Sequence, residues 1–366
     1  MSRKLASIQR IEEIIPIENA DKICQYRIGG WKVVDQKDKY AVGDLVIYVE
    51  VDSWVPHSVA PFLSKNKEPR VYENIKGERL KTIRLRGALS QGLILPMHIL
   101  DNFDTEENVW HWATDMYQED EDVSEYLGII KWDRPIPVQL QGQIKGNFPS
   151  CVKKTDQERI QNMSKTFVEW INDADFEPNF VIEEKLDGTS FTCLIDPSSD
   201  EFTVCSRNMN LKEMEENAYW RIARSNGLEE ILRKDDQKGF AIQGEIVGPS
   251  IQKNLYKLDE PTLYVFDVWD IDKQSYLSQA ERREFCKANG LKSVPTLNFI
   301  SEHSDLVFVE SKEEIPSFIE WCLTMAEGTS VLNNKVQREG LVFKNLKDPN
   351  LSFKAISNKY LLGGGE

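Results

Sequence analysis

The side chain in this chain best placed for covalent chemistry is Lys185, in the string Glu183-Glu184-Lys185-Leu186-Asp187-Gly188. The run before it reads as a strand, so the lysine stands at a strand end, and Gly188 permits a tight turn just beyond. That turn presents an amine beside a carboxylate. A free lysine has a pKa of about 10.4 and is a poor nucleophile at neutral pH. Desolvation or nearby cations favour its neutral form. A divalent ion near Asp187 would do this while neutralising a phosphate under attack. On its own, however, K-x-D-G arises too readily by chance to carry that reading, and it describes a hairpin turn with a surface lysine equally well.

Further candidates follow along the chain. Arg207 ends a strand-like run, where a surface arginine is equally at home. Glu245 lies in an apolar strand, where a carboxylate is costly unless paired or metal-bound. Phe266 by itself reads as core, Glu339 before Gly340 as a turn acid, and Lys344 and Lys354 as solvated strand ends. Arg159 fits the polar side of a helix.

These residues need elements to position them. Residues 1–100 are β-rich, with short strand-like runs at 26–34, 44–51, 80–86 and 92–96 and turn signals at Gly29-Gly30 and Gly43-Asp44. Such a pattern suits a small barrel or sandwich, the OB-fold among them. Residues 101–150 read as an acidic linker: 101–125 holds ten acids and no Lys or Arg, and Pro135, Pro137 and Pro149 follow. A helix is expected from Thr155 or Asp156, with Ile160, Met163, Phe167 and Ile171 on its apolar face. Strands are expected at 180–185, 190–195, 202–206, 240–247, 263–269, 341–344 and 351–354. Capping boxes at Ser278/Glu281 and Ser311/Glu314 open two helices, the first ending by Gly290 and the second running through Trp321. The fold class is therefore α+β: an N-terminal β-barrel module at 1–100, then a C-terminal domain at 151–366, largely antiparallel.

Composition narrows the function. With 366 residues, 40% hydrophobic and 29% charged, the chain has room for two substantial domains. No apolar run approaches the roughly 20 residues that span a bilayer, and the start Met1-Ser2-Arg3-Lys4-Leu5 has no apolar signal core. A cytoplasmic or nuclear location is expected, without a membrane. The six cysteines form no C-x-x-C pair and the four histidines are isolated, which excludes the usual zinc and disulfide frameworks. Any metal chemistry rests on carboxylates and hard cations. A net charge of −15 argues against tight nonspecific nucleic-acid binding, though cations cluster at 79–86 and at Lys153-Lys154.

In their order, the candidate residues resemble the motifs of the covalent nucleotidyltransferases, the ATP-dependent RNA and DNA ligases and the mRNA capping enzymes. Lys185-Leu186-Asp187-Gly188 matches the nucleophile motif, Ser206-Arg207-Asn208 the next, and Gly244-Glu245-Ile246-Val247-Gly248 the third. Tyr264-Val265-Phe266-Asp267, Glu339-Gly340-Leu341-Val342-Phe343-Lys344 and Ser352-Phe353-Lys354 complete the set. Only twelve residues follow Lys354, leaving no room for the OB domain that DNA ligases and capping enzymes carry there. The β-rich module lies before the motifs instead, as in the RNA ligase family with an N-terminal OB domain that seals 3′-OH/5′-phosphate nicks. The stretches 41–48 and 89–93, and Lys154-Thr155-Asp156 through Arg159, Gln161 and Asn162, are similar to that family. One departure is that a K-x-K last motif is common there, whereas here Ile356 stands two positions after Lys354, with Lys359 an alternative cation.

The resemblance implies an ATP-dependent RNA ligase. Lys185 attacks the α-phosphate of ATP and holds AMP, the AMP passes to the RNA 5′-phosphate, and the RNA 3′-OH displaces it. It assigns Asp187, Glu245 and Glu339 to a magnesium or manganese site, Lys344 and Lys354 to the α-phosphate, Phe266 to stacking on adenine, and Glu184 to its exocyclic amine. Arg159 and Arg207 fall to ribose or phosphate contacts. Basic residues of the N-terminal module, Arg84 and Arg86 among them, fall to RNA. The expected partner is RNA with 3′-OH and 5′-phosphate ends at a duplex nick, and the expected state a monomer. The rivals are a DNA ligase or GTP-using capping enzyme of the same superfamily, and a noncatalytic OB-type nucleic-acid binder that would need none of the ordered Lys, Asp and Glu motifs.

Overall fold

In the computed structural model, which describes residues 3–104, 109–133, 142–300, 309 and 311–363, strand Leu45–Val49 buries both of its faces. Ile47 and Val49 point into one apolar cluster with Ala6 and Ile8, while Val46 and Tyr48 point into a second with Tyr26, Trp31 and Ile94. Period-2 alternation with apolar residues at every position makes this the central strand of the N-terminal unit, Met1–Pro135. It lies between Ala6–Arg10 and Leu93–Pro96, antiparallel to both. The run expected at 26–34 is a hairpin: Ile23–Ile28 and Trp31–Gln36 pair with Ile28 opposite Trp31, so Gly29-Gly30 forms the two-residue turn, with Gly29 at φ 53°.

The stretch expected to be an acidic linker is shared out between the two units. Ala113, Val123, Leu127 and Ile129 enter the N-terminal core, and Ile130–Lys131 pairs with Trp54 and Ser53. The acids of this stretch sit around these few buried apolar residues, whose spacing gives no clear period. Ile144–Asn147 instead pairs with Met209–Leu211 in the second unit. Residues 105–108 and 134–141 of the same stretch lie outside the described residues.

The second unit, Ile136–Glu366, holds two sheets. One has five strands in the order Glu158–Arg159, Ser352–Ile356, Gly340–Asn345, Phe180–Lys185, Thr296–Ile300. The other has eight, with Thr189–Ile195, Phe240–Val247 and Thr262–Asp270 at its centre. Pairing is antiparallel except for Glu158–Arg159 on Ser352–Ile356 and Lys292–Ser293 on Thr262–Asp270. Helices Ser164–Asn172 and Ile315–Ala326 cover the first sheet through Phe167, Phe318 and Cys322. Ala218–Ser225, Leu228–Leu232 and Gln279–Ala288 pack on the second.

Three local expectations change. The helix expected from Thr155 or Asp156 begins at Ser164, because Glu158–Arg159 is drawn into the sheet and a 3-10 turn, Ile160–Asn162, follows. Arg159 is accordingly a buried strand residue, not a helix surface residue. The Ser278/Glu281 capping box forms with both reciprocal bonds, whereas Ser311 makes no cap bond and Ile315–Ala326 starts after a 3-10 turn with Pro316 in its first turn. Among the described residues no helix is long and apolar enough to cross a membrane.

Candidate active site

Only Leu186, Asp187 and Gly188 separate Phe180–Lys185 in the five-stranded sheet from Thr189–Ile195 in the other. Lys185 therefore stands where the chain passes between sheets. The turn demands glycine, since a Cβ on Gly188 would lie 2.3 Å from the Ile246 carbonyl oxygen. Across the strand Lys185 faces Gly340, where a Cβ would lie 2.3 Å from the Ala355 oxygen. Two close backbone approaches thus hold the lysine beside Glu339, and Lys185 Nζ lies 2.6 Å from Glu339 Oε1.

The surrounding charges are unevenly met. Burial works against the charge on Lys185, but the Glu339 and Glu245 carboxylates outweigh it and hold the ammonium above the ordinary lysine range. Burial likewise pushes the Glu245 carboxyl up, to about 8, with Lys185 and Arg207 pulling it down and Glu339 and Asp187 pushing it further up. Glu339 is raised by burial and by Asp187, against Lys185 and Lys354. Asp187, Glu245, Glu339, Lys185, Lys354 and Arg207 therefore feel one another electrostatically. Hard carboxylate oxygens suit magnesium or manganese in kind. They are not gathered about one point: among the described residues no three His, Cys, Asp or Glu side chains stand close enough to hold an ion.

Glu184 points elsewhere. It is 2% exposed; its Oε2 accepts from the Val331 amide at 2.8 Å, while Oε1 is buried without a hydrogen-bond partner. Burial raises its carboxyl, against Ser330, the Val331 amide and Arg338. Phe266 is half-buried in a cluster with Leu186, Val247 and Tyr256. Arg207 pairs with Asp156 at 2.5 Å, both about half exposed. Arg159 lies opposite Lys354 in the parallel pairing. Of the two lysines considered for the last motif, Lys354 acts on Glu339, whereas Lys359 is 72% exposed and 4.0 Å from Glu327.

Lys344 is placed differently from the phosphate contact expected of it. Its amine lies 2.7 Å from Asp267 Oδ1 and 3.4 Å from Glu183 Oε2, and it donates to the Phe266 carbonyl. Arg282 joins the same buried cluster, bridging both oxygens of Glu183 and the Phe266 carbonyl. Sequence reasoning missed Arg282. It lies 99 residues from Glu183 on an ordinary amphipathic helix, and no local signal marks it. Arg84 and Arg86 belong to the N-terminal unit, both exposed, Arg84 on strand Ile83–Leu85 and Arg86 next to it at φ 48°.

Comparison with known proteins gives a consistent result. Residues 178–358 match a family model described as RNA ligase, and residues 5–97 match one described as an OB-fold domain. The chain is similar to solved structures of the Naegleria gruberi RNA ligase. With pyrophosphate that protein is 40% identical over 98% of each chain, with a TM-score of 0.81. A mutant of it with ATP and Mn has the same identity, coverage and TM-score, and another with AMP and Mn has 40% identity, 98% coverage of each chain and a TM-score of 0.82. No curated protein matches significantly. The expected α+β class, an N-terminal OB-fold followed by an antiparallel-sheet domain, accords with both the structure and these matches.

Proposed function

The chain belongs to the RNA ligase family and is an ATP-dependent RNA ligase, and from that premise we propose that it seals 3′-OH to 5′-phosphate ends at duplex nicks, as a monomer in the cytoplasm or nucleus, with Lys185 as the AMP acceptor. The observation that carries the Lys185 assignment is its 2.6 Å contact with Glu339 at a turn too tight for any residue but glycine at 188.

That contact favours the protonated amine, so the ammonium must leave Glu339 and lose its proton before attack. Asp187, Glu245 and Glu339, which stand apart in this structure, are the carboxylates that would have to close on magnesium or manganese, and the ion would supply positive charge against the carboxylates and the phosphates. Lys185 Nζ then attacks the α-phosphorus of ATP; a P–N bond forms, the bond to the β-phosphate oxygen breaks, and pyrophosphate leaves. An oxygen of the RNA 5′-phosphate attacks the same phosphorus, releasing the amine and leaving AMP on the RNA end. The RNA 3′-OH gives up its proton, attacks the RNA phosphorus, and AMP departs.

The other side chains position these reactants. Lys354, on the Glu339 side, is assigned to the α-phosphate. The unfilled Glu184 Oε1 suits the exocyclic amine of adenine, and Phe266 its ring face. Arg207 and Arg159 are assigned to ribose and phosphate. Lys344, committed to Asp267 and Glu183, anchors strand Thr262–Asp270 against the nucleophile strand. The OB-fold unit, with Arg84 and Arg86, is assigned to the RNA duplex around the nick.

The test is incubation with α-labelled ATP and Mn²⁺ or Mg²⁺, followed by denaturation. The wild-type protein is expected to carry label and Lys185→Ala none. A labelled Lys185→Ala protein overturns the assignment, and label from GTP instead of ATP would move the chain toward the capping enzymes. RNA-only and mixed nicked duplexes then establish strand preference.

A further inference from the structure

Two buried tyrosines outside the motif strings meet at Asp187. The Asp187 amide donates to the Tyr256 hydroxyl at 2.6 Å, and the Tyr360 hydroxyl hydrogen-bonds the Asp187 carboxylate. Both rings are buried, 3% and 8% exposed. Each tyrosine arrives on a segment whose own geometry is tied to the site. Tyr256 ends a loop in which Ser250, Gln252 and Asn254 hold left-handed φ values of 64°, 47° and 44°. Such backbone persists only where its surroundings over-determine it. Here Gln252 donates to the Gly188 carbonyl at 3.1 Å, so the strained loop grips the nucleophile turn at two successive residues. Tyr360 stands on the short helix Asn358–Leu362, capped by Ser357, whose Oγ accepts from the Tyr360 amide at 3.1 Å. The Ser357 amide in turn donates to the Glu339 carbonyl at 2.9 Å. Tyr360 is thus mounted on the backbone of the residue that contacts Lys185.

We propose that Tyr256 and Tyr360 are positioning residues for adenylate formation, Tyr256 fixing the Asp187 peptide and so the direction of Lys185, and Tyr360 orienting the Asp187 carboxylate for a divalent cation. A hydroxyl that accepts from one amide and a hydroxyl that donates to one carboxylate leave Asp187 little rotational freedom. Misplacing a reacting group by about 1 Å costs on the order of 10²-fold in rate. The inference rests on Lys185 being the AMP acceptor.

Tyr256→Phe and Tyr360→Phe keep the rings and remove only the hydroxyls. Tyr276→Phe, at a buried tyrosine packed on Trp269, is the control. Two readings are taken: lysyl-adenylate formation from α-labelled ATP across a Mn²⁺ titration, and Mn²⁺ binding by the loss of the free-ion paramagnetic resonance signal. For Tyr360→Phe we expect Mn²⁺ binding weakened about tenfold, the half-saturating Mn²⁺ for labelling raised to match, and a saturated rate within about threefold of wild type. For Tyr256→Phe we expect a saturated labelling rate about tenfold or more lower with Mn²⁺ binding little changed. Tyr276→Phe should match wild type in both. Wild-type curves for both test variants overturn the proposal, and so does an equal loss in all three variants. A wild-type protein that takes no label on Lys185 would instead sink the underlying mechanism, so the two failures are distinguishable.

Discussion

Glu183 and Lys185 lie two residues apart on one face of one strand, yet each belongs to an ionic cluster of opposite character. Around Glu183 the charges close on themselves: two carboxylates, Glu183 and Asp267, meet two cations, Arg282 and Lys344, all no more than 5% exposed. Arg282 and Lys344 overcome the cost of burial at Glu183 and hold its carboxyl below the ordinary range, while burial still raises that of Asp267. Around Lys185 the balance fails. Glu245 and Glu339 are both pushed up, each by burial and by other carboxylates, and the Lys185 side chain is 27% exposed. The closed cluster matches two acids with two cations, so we read it as scaffold. In the open one two buried carboxyls are disfavoured as charges while the lysine beside them stays partly exposed, which is the pattern of a site.

The contrast can be broken first on the scaffold side. Arg282→Met leaves Glu183 buried without its bidentate partner and is expected to cost about 3–5 kcal/mol in denaturant unfolding. Adding Glu183→Gln should recover much of that loss. If Arg282→Met unfolds like wild type, the cluster is not scaffold. On the reactive side the signs reverse. Glu339→Gln removes a carboxylate that burial and Asp187 disfavour, so stability should hold within about 1 kcal/mol or rise, as at functional sites generally. Labelling by ATP should fall by about 10²-fold. A large stability loss with intact labelling would exchange the roles given to the two clusters.

The same contrast shows what was legible in the sequence. Lys185, Asp187, Glu245 and Glu339 could be proposed because the chemistry they would carry is written in short strings, each on its own strand or turn. The strand at 240–247 and the Ser278 capping box were local too, and both were realised. What depends on distant pairing was hidden. Arg159 looks helical until Ser352–Ile356 draws it into a sheet, and Lys344 looks like a phosphate ligand until Asp267 and Glu183 claim its amine. The acidic stretch after residue 100 looks like a linker because charge outnumbers its few core residues, Val123, Leu127 and Ile129. Tyr256 and Tyr360 reach Asp187 across 69 and 173 residues, with no string to mark either.

A smaller effect separates the units. Arg84→Ala combined with Arg86→Ala should leave ATP labelling unchanged, raise the nicked RNA needed for half-maximal sealing several-fold, and lessen the salt dependence of binding by about one to two in slope. Unchanged sealing and an unchanged slope would remove the RNA-contact role from Arg84 and Arg86.

The most direct measurement of the central claim is mapping the adduct itself. The protein is incubated with ATP and Mn²⁺, digested under mild alkaline conditions that preserve a P–N bond, and its peptides weighed by mass spectrometry. The account predicts AMP on the peptide carrying Lys185, lost on acid treatment. AMP on Lys354 or another lysine, with Lys185 unmodified, would contradict it.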